Sequence, residues 1–125
     1  MSPVLKKLAF NGQSPVLLLH APDEFKKVAA GFGVPIHTVA KGSYDFALVF
    51  AKSMADGEKT GKIMGKVLGE KAVFWMAYPK GTSKKYKGVD INRDSAHAMM
   101  EKYGFDGVSL VAIDEDWSAM RFKKL

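Results

Sequence analysis

Three short, almost uninterrupted apolar runs constrain the fold of this chain more than any other feature. They occupy residues 15–20 (PVLLLH), 44–50 (YDFALVF) and 72–78 (AVFWMAY). A strand with one face in water alternates apolar and polar residues, whereas a strand buried on both faces is apolar throughout. Strands of the second kind occur in parallel sheets that helices cover on both sides. The runs therefore predict a mostly parallel sheet with a helical layer on each face.

Segments with helical features separate these runs. Pro22 and the two acidic residues after it begin a helix that is predicted to end near Gly31. Ser53 is the N-cap of a predicted helix that reaches about residue 68. A third helix, with an apolar face that includes two methionines, is predicted to end at Gly104.

The order of the predicted elements indicates the fold class. A short strand is expected at 35–39, and the strands at 108–113 and 117–123 form a hairpin. The resulting order, β-α-β-β-α-β-α-β-β, fits one α/β domain over residues 1–125. We expect a Rossmann-like three-layer fold whose mostly parallel sheet has strand order 2-1-3-4 and ends in an antiparallel hairpin.

The predicted helix after Ser53 carries glycines four residues apart, at positions 57, 61, 65 and 69. Each interior glycine costs about 1 kcal/mol of helix propensity. The spacing indicates either a groove for the close approach of another helix or a loosely held surface helix. We favour the surface helix, because the membrane motif with this spacing is apolar and this segment is rich in lysine.

The positive charge of the chain is concentrated in one segment. Between Lys52 and Lys87 there are nine lysines and three acidic residues, a difference of six that equals the whole net charge of +6. The rest of the chain has ten basic and ten acidic residues, which cancel. A local excess of this kind predicts an anionic ligand or partner.

Several classes of protein are disfavoured by composition. The chain has no cysteine, so disulfides, thiolate metal sites and cysteine nucleophiles are excluded. No apolar run approaches the roughly 20 residues that span a bilayer, and the N-terminus lacks the pattern of a secretory signal. We therefore expect a cytoplasmic location and no membrane partner. The three histidines share no metal-ligand spacing, so no metal site is expected.

One candidate site follows from the predicted strand order. Ligands of open parallel sheets bind beyond the carboxyl ends of the strands, at the point where the strand order reverses. In this chain that point lies between the strands at 15–20 and 44–50, and the residues there are His20, Asp23, Lys52 and Ser53. His20 is either a general base near neutral pH or a strand-end histidine that is hydrogen-bonded to a loop, and we favour the second role.

A second candidate site follows the third apolar run. After Tyr78 comes a basic loop in which Lys80, Ser83 and further lysines offer donors to phosphate or carboxylate oxygens. Tyr86, in the same loop, offers a ring on which a base can stack. The alternative is a solvated surface loop with no ligand.

The segment that follows, DINRDS at residues 90–95, mixes both charge signs. Arg93 is expected to pair with Asp90 or with an acid of the turn at 114–116. Asn92 or Asp94 is expected to cap the next helix. No catalytic residue and no metal ligand is assigned. The candidate ligand-binding residues are His20, Asp23, Ser53, Tyr78, Lys80, Ser83, Asn92 and Arg93.

Three segments carry a resemblance to known proteins: FWMAYPKGTS at 74–83, DINRDS at 90–95 and IDEDWSAMRF at 113–122. On these the chain resembles short, uncharacterised bacterial proteins grouped as a domain of unknown function. The layout of its strands is also similar to a shortened S-adenosylmethionine-dependent methyltransferase. That similarity implies a Rossmann-like sheet and a site at its carboxyl edge.

The turn after the first strand departs from the methyltransferase pattern. Methyltransferases have a glycine-rich turn there, but this chain reads His20-Ala21-Pro22, and proline has no N–H to offer a ligand. Val39-Ala40-Lys41 follows the second strand, where the family has an acidic residue. The cofactor is therefore left unknown, and S-adenosylmethionine is not favoured.

These observations support a ranked set of functional hypotheses. The first is a small non-catalytic binding protein for an anionic ligand or partner. The alternative is a small methyltransferase-like transferase that acts at the crevice near His20 and Ser53. A third possibility is a homodimer, in which the final hairpin supplies an edge for self-pairing.

Overall fold

The computed structural model describes residues 2–125, in which helices cover both faces of one six-stranded sheet. The strands are β1 (Val16–Leu19), β2 (Ile36–His37), β3 (Tyr44–Phe50), β4 (Leu68–Pro79), β5 (Phe105–Ala112) and β6 (Trp117–Lys124). The helices are α1 (Pro3–Lys7), α2 (Lys26–Ala29), α3 (Met54–Val67) and α4 (Arg93–Lys102), and 3-10 turns at Asp23–Phe25 and Ala30–Phe32 flank α2. No helix among the described residues has the length and apolar character needed to cross a bilayer.

The strand order confirms the mostly parallel sheet. From one edge to the other the order is β2-β1-β3-β4-β6-β5. The first four strands are parallel, with Leu19 opposite Val49 and Val49 opposite Met76. Strand β6 lies antiparallel between β4 and β5, so the predicted hairpin is also confirmed and β5 is the edge strand. Because β1, β3 and β4 run the same way, their carboxyl ends form one rim of the sheet.

Alternate side chains of the buried strands supply two cores. On one face Leu17, Val49 and Met76 pack with residues of α3 and α4. On the other face strand residues such as Trp75 pack with α1 and with the helical segment at 23–32. The Trp75 indole N–H donates a hydrogen bond of 2.7 Å to the Leu8 carbonyl, which fastens α1 to the sheet. The apolar runs of the sequence are thus explained by two buried faces.

Two elements differ from their predictions. The helix expected from Pro22 to Gly31 is instead a series of short turns, in which the four-residue α2 lies between two 3-10 turns and none of the three has a side-chain cap. The strand expected at 35–39 is confined to Ile36–His37. The chain then turns around the Tyr44 hydroxyl, which is 2.7 Å from His37 Nδ1 and accepts a hydrogen bond of 3.1 Å from the Lys41 N–H.

The interpretation of the glycines in α3 is wrong at two positions. Gly57 and Gly61 are buried, and a methyl group at either would overlap the side chain of Met99 or Tyr103. These two glycines therefore form the groove for helix approach that we did not favour, with α4 as the neighbour. Gly65 faces open space, so the surface interpretation applies there. The four-residue spacing alone does not distinguish Gly57 and Gly61 from Gly65, because these glycines differ only in their tertiary contacts.

Candidate functional site

The carboxyl rim of the parallel strands brings together the residues predicted for the first site. His20 directly follows β1, and Lys52 and Ser53 follow β3, its neighbour in the sheet. His20 is exposed and has a φ angle of 59°, a left-handed conformation that favours glycine. The turn therefore adopts a backbone conformation suited to glycine but carries an imidazole. Asp23, farther along the turn, is 93% exposed at its side chain and pairs with Lys26 at 3.2 Å.

Protein groups already occupy the N-terminus of α3 at this rim. The Ser53 hydroxyl accepts a hydrogen bond of 3.1 Å from the Asp56 N–H, which confirms Ser53 as the N-cap. The Asp56 carboxylate accepts from the Lys52 N–H at 3.1 Å, and the Asp90 carboxylate accepts from the Met54 N–H at 2.8 Å. Since these N–H groups have partners, the helix end offers few free donors to a ligand.

Glu24 is the residue at this rim that the sequence interpretation missed. Its carboxylate accepts hydrogen bonds from the Tyr86 hydroxyl at 2.6 Å, the Trp117 indole N–H at 3.1 Å and Lys85 Nζ at 3.1 Å. We call Glu24, Lys85, Tyr86 and Trp117 the Glu24 cluster. It joins the turn after β1 to the loop after β4 and to the start of β6, and so crosses the end of β3, which lies between β1 and β4.

The electrostatics of the Glu24 cluster favour a permanent carboxylate. Burial alone raises the pKa of Glu24, but the hydrogen bonds from Tyr86, Trp117 and Lys85 outweigh it and lower that pKa from 4.5 to about 2. Burial and the hydrogen bond to Glu24 raise the pKa of Tyr86 to about 12. The phenol therefore remains a donor and Glu24 an acceptor throughout the physiological range.

Further contacts hold the loop at residues 80–88, which we call the basic loop. The Ser83 hydroxyl, which we expected to contact a ligand, is buried and donates a hydrogen bond of 2.7 Å to the Asp116 carboxylate. It also accepts from the Tyr86 N–H at 3.0 Å. The Lys80 N–H donates to the Asp116 carbonyl at 2.8 Å. Ser83 is thus an anchor of the loop, and Tyr86, which was expected to stack on a base, packs edge-on against Trp117.

Four of the predicted ligand residues meet in one cavity on the other side of the loop. This cavity of about 350 Å³ lies between the basic loop, the start of α4 and the hairpin. We call it the Tyr78 groove, and its lining includes Tyr78, Lys80, Asn92, Arg93, Leu110 and Ser118. Tyr78, Lys80, Asn92 and Arg93 are near one another in the sequence, and in the structure all four line this cavity.

Contacts at the start of α4 show the structural roles of Asn92 and Arg93. Asn92 is the N-cap, and it forms a capping box with Ser95 through reciprocal hydrogen bonds of 2.9 Å. The expected pairing of Arg93 with Asp90 or the turn at 114–116 is wrong, because Arg93 Nε pairs with Asp94 at 3.3 Å. The Asp90 carboxylate instead accepts a hydrogen bond from the Met54 N–H at the start of α3.

The remaining histidines have protein partners. His37 contacts the Tyr44 hydroxyl, while His97 lies 3.0 Å from the Glu101 carboxylate and 3.3 Å from that of Asp106. Within residues 2–125, no group of three or more His, Cys, Asp or Glu side chains has an arrangement that could hold a metal ion.

Comparisons with known proteins report on the fold. No family model and no curated protein matches this chain, so the resemblance to a domain of unknown function is not supported by them. Among solved structures, the N-methyltransferase NodS from Bradyrhizobium japonicum WM9 has a TM-score of 0.62 at 12% identity, over 97% of this chain and 92% of that chain. The CcbJ methyltransferase from Streptomyces caelestis has a TM-score of 0.58 at 10% identity, over 100% and 97%.

A third structure is similar over part of its length. The pyocyanin biosynthetic protein PhzM has a TM-score of 0.66 at 10% identity, and the match covers 98% of this chain but 53% of that chain. At such low identity these likenesses show a shared fold and nothing more. The chain therefore has a Rossmann-like, methyltransferase-type α/β fold, as the layout of its strands predicted.

The residues at the turn after β1 do not fit the cofactor that this fold implies. The turn has no glycine, Pro22 has no N–H and is buried, and His20 occupies the left-handed position. The Glu24 carboxylate takes the donors of Tyr86, Lys85 and Trp117 at the same rim. At the end of β2, His37 binds Tyr44 in the region where the family has a carboxylate.

Proposed function

We propose that this chain is a small non-catalytic binding protein that holds an anionic ligand or partner against its basic segment. The single observation that carries this proposal is an uncompensated charge. Of the nine lysines between residues 52 and 87, Lys85 alone forms an ion pair within residues 2–125. Unpaired surface cations in one segment raise the local concentration of anions.

The anchored basic loop supports the proposal because it presents its lysines on a fixed frame. Lys85 is tied to Glu24, and Ser83 is tied to Asp116. Lys80, Lys84 and Lys87 lie between or beside these anchors without carboxylate partners of their own among the described residues. A frame that is ordered before binding lowers the entropy lost when a partner docks.

Two variants of equal charge test which lysines bind. One double variant changes the basic loop and carries Lys84→Glu and Lys87→Glu. The other makes the same change of charge on the exposed side of α3 and carries Lys59→Glu and Lys62→Glu. The probes are heparin and a short DNA duplex at low salt. We expect the loop pair to lose about tenfold or more in affinity and the helix pair to lose less.

The salt dependence sharpens this test. For duplex DNA the logarithm of affinity falls against the logarithm of salt with a slope of about −0.9 for each phosphate contact. The loop pair is therefore expected to reduce the slope as well as the affinity. Equal losses in both pairs would indicate a nonspecific effect of net charge, and absence of binding at low salt would refute the proposal.

The fold likeness favours a second candidate, a small methyltransferase-like transferase that acts at the crevice near His20 and Ser53. Its support is the rim at which β1 and β3 end together and the exposed His20 there. Thermal shift with S-adenosylmethionine, S-adenosylhomocysteine and nucleotides separates the two candidates. A rise of several degrees that is lost in His20→Ala favours the transferase, and no shift with any of these ligands favours the binding protein.

A further inference from the structure

The Tyr78 hydroxyl is a donor without a protein partner on an otherwise buried side chain. Tyr78 is 4% exposed, yet its hydroxyl has no hydrogen-bond partner among residues 2–125. No side-chain polar atom in the described chain is both fully enclosed and unpaired, so this hydroxyl must reach the Tyr78 groove, which its residue lines. A hydroxyl that borders a cavity without a protein partner can donate a hydrogen bond to a ligand placed there.

Cationic and amide donors surround the same space. Arg93 uses its Nε to pair with Asp94, which leaves the N–H groups of its two terminal nitrogens for another acceptor. Asn92 uses its carbonyl oxygen to cap α4, which leaves its NH₂ group. Lys80 adds an unpaired ammonium on the same wall. Burial raises the pKa of Tyr78 and the charge of Arg93 lowers it, and with both effects the phenol remains a donor at neutral pH.

An apolar wall continues from this polar end. A second cavity of about 460 Å³ shares Arg93 and Leu110 with the Tyr78 groove and is also lined by Met120. Leu110 is 46% exposed on the edge strand β5, where it forms part of the floor of both cavities. The second cavity is also lined by Asp94, His97 and Ser109, so a ligand that lies along both cavities meets donors at the Tyr78 end and Leu110 and Met120 beside polar groups at the other.

We propose that the joined cavities bind a small organic acid, with its carboxylate on Tyr78 and Arg93 and its apolar body against Leu110 and Met120. A guanidinium and one hydroxyl present donors to the two oxygens of a planar carboxylate, and the charged hydrogen bonds orient it. The apolar wall provides favourable burial for a ring or an alkyl chain. This site uses residues outside the Glu24 cluster, and it shares only Lys80, Gly81 and Thr82 with the basic loop.

Phenylacetate is the probe, with phenylacetamide as its uncharged analogue and inorganic phosphate as a competitor without a hydrocarbon part. Binding is followed by isothermal titration and by NMR shifts of α4 and β5. We expect saturable binding of phenylacetate, much weaker binding of the amide and poor competition by phosphate. Each of Tyr78→Phe and Arg93→Gln is expected to weaken phenylacetate binding about tenfold.

Lys84→Gln is the matched control, since it removes a charge from the basic loop outside the Tyr78 groove. It should leave phenylacetate binding unchanged. The proposal is overturned if phenylacetate shows no saturable binding up to about 10 mM, if the amide binds equally well, or if Tyr78→Phe binds like the native chain. Heparin binding, measured on the same proteins, reports on the proposed function separately, so the failure of one does not imply failure of the other.

Discussion

The Glu24 cluster and the Tyr78 groove lie on opposite sides of the basic loop and differ in how their polar groups are satisfied. In the Glu24 cluster one carboxylate accepts from a phenol, an indole and an ammonium of the chain itself. In the Tyr78 groove a phenol, a guanidinium and an amide have donors to spare. The chain thus pairs the polar groups on one side of the basic loop with one another and leaves donors without protein partners on the other side.

This difference shows that neighbouring parts of one rim can treat their polar groups in opposite ways. The parallel strands still end at one rim, and the loop after β4 still passes over it. A single carboxylate in the turn after β1 holds three side chains from the loop after β4 and from the start of β6. Site chemistry therefore has to be argued from the side chains at each strand end rather than from strand order.

Removal of the Glu24 carboxylate is expected to give the largest effect. Glu24→Ala leaves the Trp117 indole N–H and the Tyr86 hydroxyl without their acceptor, and we expect the free energy of unfolding to fall by about 2–4 kcal/mol. The neighbouring variant Asp23→Ala removes one exposed ion pair with Lys26 and should cost less than about 0.5 kcal/mol. Urea denaturation measures both. Similar losses of unfolding free energy in the two variants would show that the Glu24 cluster does not stabilise the fold.

The pH dependence of stability gives a second way to test the Glu24 cluster. Because the pKa of Glu24 is about 2 in the folded chain and 4.5 is its ordinary value, Glu24 stabilises the fold fully above pH 4.5. That contribution is lost as the pH falls from 4.5 towards 2. Glu24→Gln should therefore lose less stability than the native chain over this interval. Parallel stability curves for the two proteins would contradict the low pKa.

Removal of the Tyr78 hydroxyl is expected to change stability least. Since this hydroxyl has no protein partner, Tyr78→Phe keeps the ring in the core and should shift the free energy of unfolding by less than about 0.5 kcal/mol. Tyr86→Phe, which removes a phenol that Glu24 does use, is the matched variant and should cost more. A large loss in Tyr78→Phe would reveal a hidden partner and remove the contrast between the two regions.

The strands and caps were accessible from sequence because their causes are local. The apolar run at 44–50 coincides with β3, and Ser53 and Asn92 cap α3 and α4 as their side chains predict. Strand β4 is longer than the run at 72–78, because Leu68 already pairs with Tyr44 directly after α3. Pairing of that kind depends on where the neighbouring strand lies, so the run does not reveal it.

The residues of the candidate site were also predicted only in part from sequence. Sequence order placed Tyr78, Lys80, Asn92 and Arg93 near one another, and the structure adds that they surround one cavity. Sequence order did not reveal Glu24, whose partners Tyr86 and Trp117 lie 62 and 93 residues away along the chain.

The fold class, the concentration of charge and the helix caps were decided by sequence, since periodicity and capping act over a few residues. Which rim residues pair with one another, which glycines touch a helix and which phenol stays unpaired were decided by tertiary structure, because each depends on contacts between distant segments.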